Sequence, residues 1–295
     1  MAELRAPFFT GSIVPVFLGT TLAWYYKGEF SLALFILNLL GAVLIHAGAN
    51  VANDYFDHLS GNDAANTEFI RPFTGGSRMI QNGLLTPREV LIEALICYAI
   101  GALIGLYLAY QCGWAILWIG LFGGITSYLY SAPPFKLVHR GFGEPIIGLN
   151  FGVLMVLGTY FVQAGELSIT PVIASLPVAL LIIAILYINE FQDYNADKAI
   201  GKLNWVARLG RKNAAKGYLA IIVLTYLCVT FGVLYGALPI TSLIAFLTIP
   251  LAIKASRITL LNYDNPTQLA GANAGTIMLH MLIGLILAVS CLMPW

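Results

Sequence analysis

Residues 31–57 read SLALFILNLLGAVLIHAGANVANDYFD, an apolar run long enough to cross a bilayer that ends in a cluster of amide and acid groups. About 20 apolar residues span the hydrocarbon core as a helix, because in lipid every backbone polar group must be satisfied within the segment. The same texture recurs along the chain. Apolar stretches lie near 8–26, 31–53, 88–110, 113–130, 144–163, 170–192, 214–235, 239–259 and 269–293, which predicts nine transmembrane helices in an all-α integral membrane protein. Composition agrees: of 295 residues, 59% are hydrophobic and 10% charged, against roughly a quarter charged in an ordinary soluble domain. One core could not hide that much apolar surface, whereas lipid accepts it on the outside of the fold.

The net charge of +1, from 15 Lys plus Arg against 14 Asp plus Glu, offers no basic field for nucleic acid. Cys97, Cys112, Cys228 and Cys291 stand singly in or beside apolar stretches, so they are expected as small hydrophobes rather than metal ligands. No basic start, short apolar core and cleavage site occur together at the N-terminus, so the first apolar stretch is expected to be retained as a span. Grouping the N-terminus with the loops after even-numbered helices collects Arg5; Arg71, Arg78 and Arg88; Lys136 and Arg140; Lys198, Lys202, Arg208, Arg211, Lys212 and Lys216; then Lys254 and Arg257. Only Lys27 is left on the other side. Lys and Arg are retained in cytoplasmic loops, which places the N-terminus inside and the C-terminus outside, with a prokaryotic cell membrane as the expected location. The longer polar connections, 54–87, 131–143 and 193–213, then put function at the cytoplasmic face.

Two of those connections begin alike. Asn53-Asp54-Tyr55-Phe56-Asp57 and Asn189-Glu190-Phe191-Gln192-Asp193 share the order Asn, acid, aromatic, any, Asp, at an offset of 136 residues. Helices 2 and 6 run in the same direction, so one domain over 1–295 with a parallel repeat, helices 1–4 and 5–8 plus a ninth, is expected. Asp63 and Asp197 extend the two clusters. Asp193 and Asp197 are four apart and share a helix face with Asn189, and Asp57 stands four after Asn53. Oxygen ligands one turn apart suit a hard cation such as Mg2+, which keeps waters and completes its shell with phosphate oxygens. Acids merely capping helix ends are the plain alternative, but a helix C-terminus is already negative and disfavours them, and crowded carboxylates at a membrane boundary need cations. A diphosphate is the natural partner. Positive groups for it occur at Arg78, after Gly75-Gly76, and at Lys136 with Arg140, after Pro133-Pro134-Phe135; each equally serves as a topology signal.

At these residues the chain resembles the UbiA superfamily of intramembrane prenyltransferases over nearly its whole length. NDYFDHLSGND, GGSRMIQNGLLTPREV, YSAPPFK, GEPIIGLNFGVLMVLGTYFVQ and DYNADKAIGK look like the MenA branch, which attaches a polyprenyl chain to 1,4-dihydroxy-2-naphthoate on the route to menaquinone. The resemblance implies a UbiA-type bundle with a lipid-open pocket and cytoplasmic active-site loops. It also implies that Asn53, Asp57, Asp63, Asn189, Asp193 and Asp197 hold a Mg2+ diphosphate group, with Arg78 and Lys136 on the phosphate oxygens and Tyr130 bordering the pocket. Gln192 stands where many relatives carry Arg, and Asn204 replaces a common Thr after Gly-Lys. These departures leave the acceptor open, with 4-hydroxybenzoate or a glycerol phosphate lipid precursor as alternatives to a naphthol.

The chemistry also follows from first principles. An allylic diphosphate leaves only if its growing negative charge is neutralised by metal and Lys or Arg. The carbocation left behind needs a dry pocket and is stabilised by aromatic faces, for which Tyr55, Phe56, Tyr128, Tyr130, Tyr187 and Phe191 are candidates. A cation-coupled transporter is the rival from another class, but its acids belong near the midplane of interrupted spans. Here the acids fall at span ends, and the spans are expected to be uninterrupted. His46 and His280 are expected as hydrogen-bonding groups inside the bundle, and His58 and His139 in loops.

Overall fold

The computed structural model describes residues 6–293, in which every regular element is helical; Arg5 lies outside the described residues. Nine long helical segments follow one another among them: α1 Thr10–Lys27, α2 Leu32–Ser60, α3 Pro87–Cys112, α4 Ala115–Ser131, α5 Gly143–Ala164, α6 Ile169–Ala199, α7 Arg211–Leu234, α8 Ile240–Asn262 and α9 Pro266–Ser290. Seven of them, α2, α3 and α5 to α9, are long and apolar enough to cross a membrane, and α4 is a shorter apolar helix. This is an integral membrane protein.

Local chemistry sets the helix ends. Thr86 opens α3 with a capping box, accepting from the Glu89 N–H while the Glu89 carboxylate accepts from the Thr86 N–H, and Pro87 occupies the first turn, where its missing N–H costs nothing. Both α2 and α6 run past their apolar limits, to Ser60 and Ala199, because their polar motifs keep helical spacing. Each helix is followed by a glycine in the left-handed region, Gly61 at φ 78° and Gly201 at φ 74°.

Two spans expected to be regular are not. Over Gly148–Leu154, α5 widens into a π-helical stretch where it crosses α6; a Cβ on Gly152 would lie 2.4 Å from the Ala179 Cα, so the approach requires glycine. The first part of α8, Ile240–Thr248, is a 3-10 helix that gives way to α-helix at Ile249. Pro250 sits in the first α turn and cannot donate the backbone bond that would have continued an α ladder through it.

The largest core is built by α1 and α5 to α9, around Leu18, Leu22, Tyr160, Leu181, Ile188, Tyr218 and Ile283. Along one flank, α2 packs most extensively on α3, with the backbones brought close at Gly48, against Tyr98, and Gly101, against Ile45. Outward-facing Leu103, Tyr110, Trp114, Trp118 and Leu247 are exposed, an arrangement that lipid rather than water tolerates. Cys97 and Cys291 are buried and Cys112 and Cys228 half-buried, all as free thiols. His46 pairs with the Ser12 hydroxyl at 2.7 Å and packs on Phe151. His280 departs from expectation: it is fully buried, yet neither ring nitrogen has a hydrogen-bond partner among the described residues, because Leu279, Ile283 and Leu287 build an apolar core around α9.

Candidate active site

The C-terminal ends of α2 and α6 meet at a polar cavity of about 90 Å³. From α2 come Asn53 and Asp57. After the Gly61 turn, a one-turn helix, Asn62–Ala65, adds Asn62 and Asp63. From α6 come Asn189, Glu190, Asp193 and Asp197, and Tyr130 closes the wall from the end of α4. The structure therefore gathers Asn53, Asp57, Asp63, Tyr130, Asn189, Asp193 and Asp197 around one space. The third side is the segment Phe73–Gly76, where Gly75 holds φ 77° and a Cβ would lie 2.4 Å from the Phe69 Cβ.

Amides orient the acids. Asn62 Nδ2 donates to Asp197 Oδ1 at 3.1 Å, Asn204 Nδ2 to Asp197 Oδ2 at 2.7 Å, Asn66 Nδ2 to Asp193 Oδ1 at 2.6 Å, and Gln81 Nε2 to Asp63 Oδ2 at 2.8 Å. Asn53 donates to the Ser131 hydroxyl at 3.0 Å, and Asn189 Oδ1 accepts from Asn273 at 2.7 Å. Gln192, the departure within the second motif, turns away from the cavity and pairs with the Asn273 amide at 2.8 Å. Asp54 also turns away, accepting from the Ser77 N–H at 3.0 Å.

The nearest positive charge is one that spacing did not single out. Lys202 Nζ lies 3.4 Å from Asp197 Oδ1 and 3.9 Å from Asp57 Oδ2, with the residue only 8% exposed. Burial works against its ammonium group, but Asp197, Asp57, Tyr130 and Asp193 outweigh that cost and hold its pKa well above the ordinary lysine range. The local chain explains the placement: after Gly201 the backbone reverses, and the Lys202 N–H bonds back to the Asp197 carbonyl at 2.8 Å. A Gly-Lys pair directly after an acidic helix end was the sequence signal, masked because Lys202 also fits the positive-inside pattern. Asn62 and Asn66 left no such signal, since their carboxylate partners lie more than a hundred residues away.

The other expected cationic groups stand apart. Arg78 does not line the cavity but braces its wall, donating from Nε to the Gly75 carbonyl at 3.0 Å and from Nη2 to the Asn66 carbonyl at 2.5 Å, with its guanidinium 3.9 Å over the Phe69 ring. Lys136 lines an adjoining recess of about 120 Å³ with Phe56, Asp57 and His139. Burial, then Lys202 and Lys136, push the His139 pKa down. Arg140 is exposed and donates to the Pro134 carbonyl at 3.1 Å.

Along the membrane side, α2 to α5 enclose an apolar cavity of about 720 Å³, with Ile45, Gly101, Ile119, Tyr128 and Phe151 on its walls. Tyr128, on the wall of the apolar cavity, meets Phe56, on the wall of the recess that holds Lys136 and Asp57, edge-on at 6.0 Å, so aromatic rings stand between these two spaces. Tyr187 and Phe191 instead belong to the buried core, and Tyr55 packs on Phe56. An oxygen-rich space beside a long apolar one can hold an anionic head with its counter-cation and an apolar chain.

The sequence matches the UbiA prenyltransferase family over residues 12–289. The chain belongs to that family. It is a prenyltransferase, and a membrane enzyme rather than a transporter. The chain is 29% identical to a 1,4-dihydroxy-2-naphthoate octaprenyltransferase of Bacillus subtilis, covering 97% of this chain and 89% of the relative. It is 27% identical to a 2-carboxy-1,4-naphthoquinone phytyltransferase of Synechocystis, covering 98% and 91%. A UbiA homologue from Archaeoglobus fulgidus, solved bound to GPP and Mg2+, has the same fold, with a TM-score of 0.58 over 96% of this chain and 98% of that one at 16% identity.

Proposed function

We propose that this UbiA-family enzyme transfers a polyprenyl group from an allylic diphosphate to an aromatic acceptor, 1,4-dihydroxy-2-naphthoate or a related naphthol, with Mg2+, in menaquinone biosynthesis. The naphthoate and naphthoquinone substrates in the names of the Bacillus and Synechocystis relatives support this acceptor class. The observation that carries the reading is the single cavity at which Asp57, Asp63, Asp193 and Asp197 meet beside an apolar space.

The donor set fits Mg2+. Its groups are carboxylate and amide oxygens, as a hard cation requires, and a diphosphate would add further oxygens. That combination suits an ion shared with the diphosphate oxygens, and a UbiA homologue has been solved with both GPP and Mg2+. When bound, the metal neutralises the charge that builds on the departing diphosphate. The four aspartates hold the metal-loaded head, and Asn53 and Asn189 complete the polar wall. Asn62, Asn66 and Asn204 fix the carboxylate orientations. Lys136 serves the phosphate oxygens from the adjoining recess, Arg78 braces the Asn66–Gly76 wall without touching them, and exposed Arg140 adds positive charge beside Pro134. Tyr130 borders the reacting carbons, while Tyr128 and Phe56 present aromatic surface to the allylic cation. The apolar cavity excludes water and opens the prenyl tail to membrane lipid.

In this reading all nine helical segments span the membrane, the N-terminus and active site face the cytoplasm, and the C-terminus lies outside a prokaryotic cell membrane. Residues 1–295 then form one domain with a parallel repeat of α1–α4 and α5–α8. Purified protein given labelled geranylgeranyl diphosphate with dihydroxynaphthoate, hydroxybenzoate or a glycerol phosphate lipid, with and without Mg2+, tests the assignment. Mg2+-dependent prenylation of the naphthoate is expected; exclusive use of another acceptor would overturn the acceptor assignment.

A further inference from the structure

The ninth helix reaches the polar cavity through an intermediary. Asn189 lines that cavity, and one end of its side-chain amide meets the Asn273 amide of α9 at 2.7 Å. Asn273 in turn pairs with the Gln192 amide, one contact at 2.8 Å and the other at 3.3 Å. Turned end for end, the Gln192 amide also reaches the Ile188 and Asn189 carbonyls at 3.2 and 3.1 Å. In either sense of the pairing, Asn273 takes one end of the Asn189 amide and leaves the other to the cavity. Asn273 is fully buried and Gln192 is 1% exposed. A buried amide stripped of its partners bears the full cost of its lost hydration, so the three side chains hold one another in place.

The anchor is itself held in register. Thr276, one turn after Asn273, donates to the Ala272 carbonyl at 2.7 Å and lies 2.6 Å from the Tyr218 hydroxyl of α7. The first motif is built differently. Asn53, which holds the equivalent place in the repeated order, donates to Ser131 at the end of α4, within its own half of the chain. The counterpart of α4 in a parallel repeat is α8, yet the partner of Asn189 comes from α9, the helix that such a repeat leaves over. Gln192 belongs to the same arrangement: it stands in the motif directly before Asp193 but serves Asn273 rather than the cavity.

We propose that Asn273 is a positioning residue for prenyl transfer: with Gln192 it fixes the Asn189 side chain so that the free end of its amide meets the diphosphate head. This rests on the prenyl-transfer reading. Asn273 acts through Asn189, since Asn189 lines the cavity and Asn273 stands behind it. A side chain that is loose in the empty site must be ordered each time the head binds, and that ordering is taken from the affinity. Residues that orient a metal-site group from behind typically contribute about 10–100-fold in affinity or activity.

The test measures binding as well as turnover. Geranylgeranyl S-thiolodiphosphate, whose carbon–sulfur bond resists cleavage, serves with Mg2+ as the calorimetric probe. N273A is expected to raise the Kd for this probe about tenfold and to lower kcat/KM for geranylgeranyl diphosphate by about as much, with the KM for dihydroxynaphthoate within about twofold of wild type. The decisive comparison repeats the change in an N189A background. There N273A should move the Kd by less than about twofold, because no amide is left to position. Equal fold losses in both backgrounds would overturn the assignment, since Asn273 would then act through the fold at large, and so would an N273A protein that binds the probe as wild type does. Where N273A does not fold, the same cycle is read in Q192M/N273L, which replaces both buried amides together by apolar side chains of similar shape and leaves neither orphaned. Wild-type protein that neither binds the probe nor releases pyrophosphate with any acceptor would instead sink the prenyl-transfer reading, so the two failures are distinct.

Discussion

Charge balance organises the site at the scale of single side chains. Asp57 and Asp197 are joined through Lys202, and Asp63 and Asp193 are oriented by the amides of Gln81 and Asn66. Removing one member of a buried charge pair typically costs about 3–5 kcal/mol, because the survivor is left uncompensated. Lys202→Met is therefore expected to lower the unfolding temperature in EDTA, with added Mg2+ recovering part of the loss; an unchanged melting curve in EDTA would contradict the charge-balance account. The acids themselves were legible in the sequence, since Asn53, Asp57, Asn189, Asp193 and Asp197 fall at one-turn spacings in a repeated order. Lys202 was hidden by its second meaning as a topology signal. Asn66 was hidden because its contact with Asp193 exists only after the 66–76 segment folds back over α6. Arg78 was visible as a charge, but its work in bracing that segment depends on carbonyls whose positions no spacing rule fixes.

At the scale of elements, the apolar segments fixed the helices to within a few residues except where a polar motif prolonged α2 and α6. Hydropathy tracks burial in lipid and cannot register a helix that continues into the polar layer. Nor could it foresee the π stretch of α5, which arises from a close crossing with α6 at Gly152 and Ala179. Gly152→Val places three extra carbons, a Cβ and two methyl groups, into that crossing; overpacking of this kind costs about 1–3 kcal/mol, to be read as a lower unfolding temperature in detergent. Gly201→Ala tests the second turn. A left-handed residue with a Cβ costs roughly 1–2 kcal/mol, and because the same turn places Lys202, prenyl transfer should fall more than the small stability change explains. Unaltered activity in Gly201→Ala would separate the turn from the site.

For the whole molecule, two features combine: a core of α1 and α5 to α9, and a flank of α2 to α4 that encloses the apolar cavity against α5. The polar cavity lies where the ends of α2 and α6 join these parts. Orientation in the membrane follows from charge placement and is open to labelling. In a background without the four native cysteines, Glu29→Cys, in the exposed α1–α2 connection, should react with a membrane-impermeant maleimide on intact cells. Asn265→Cys, in the exposed α8–α9 connection, should react only after permeabilisation; the reverse pattern would invert the topology. The joint demand on both motif-bearing helices is tested most directly by Mg2+-dependent transfer of a labelled prenyl chain in Asp57→Ala and Asp193→Ala proteins that elute and melt as wild type does. Loss of transfer by about 100-fold or more in each is expected if both helices grip one diphosphate, whereas undiminished turnover in both would contradict a shared catalytic cavity.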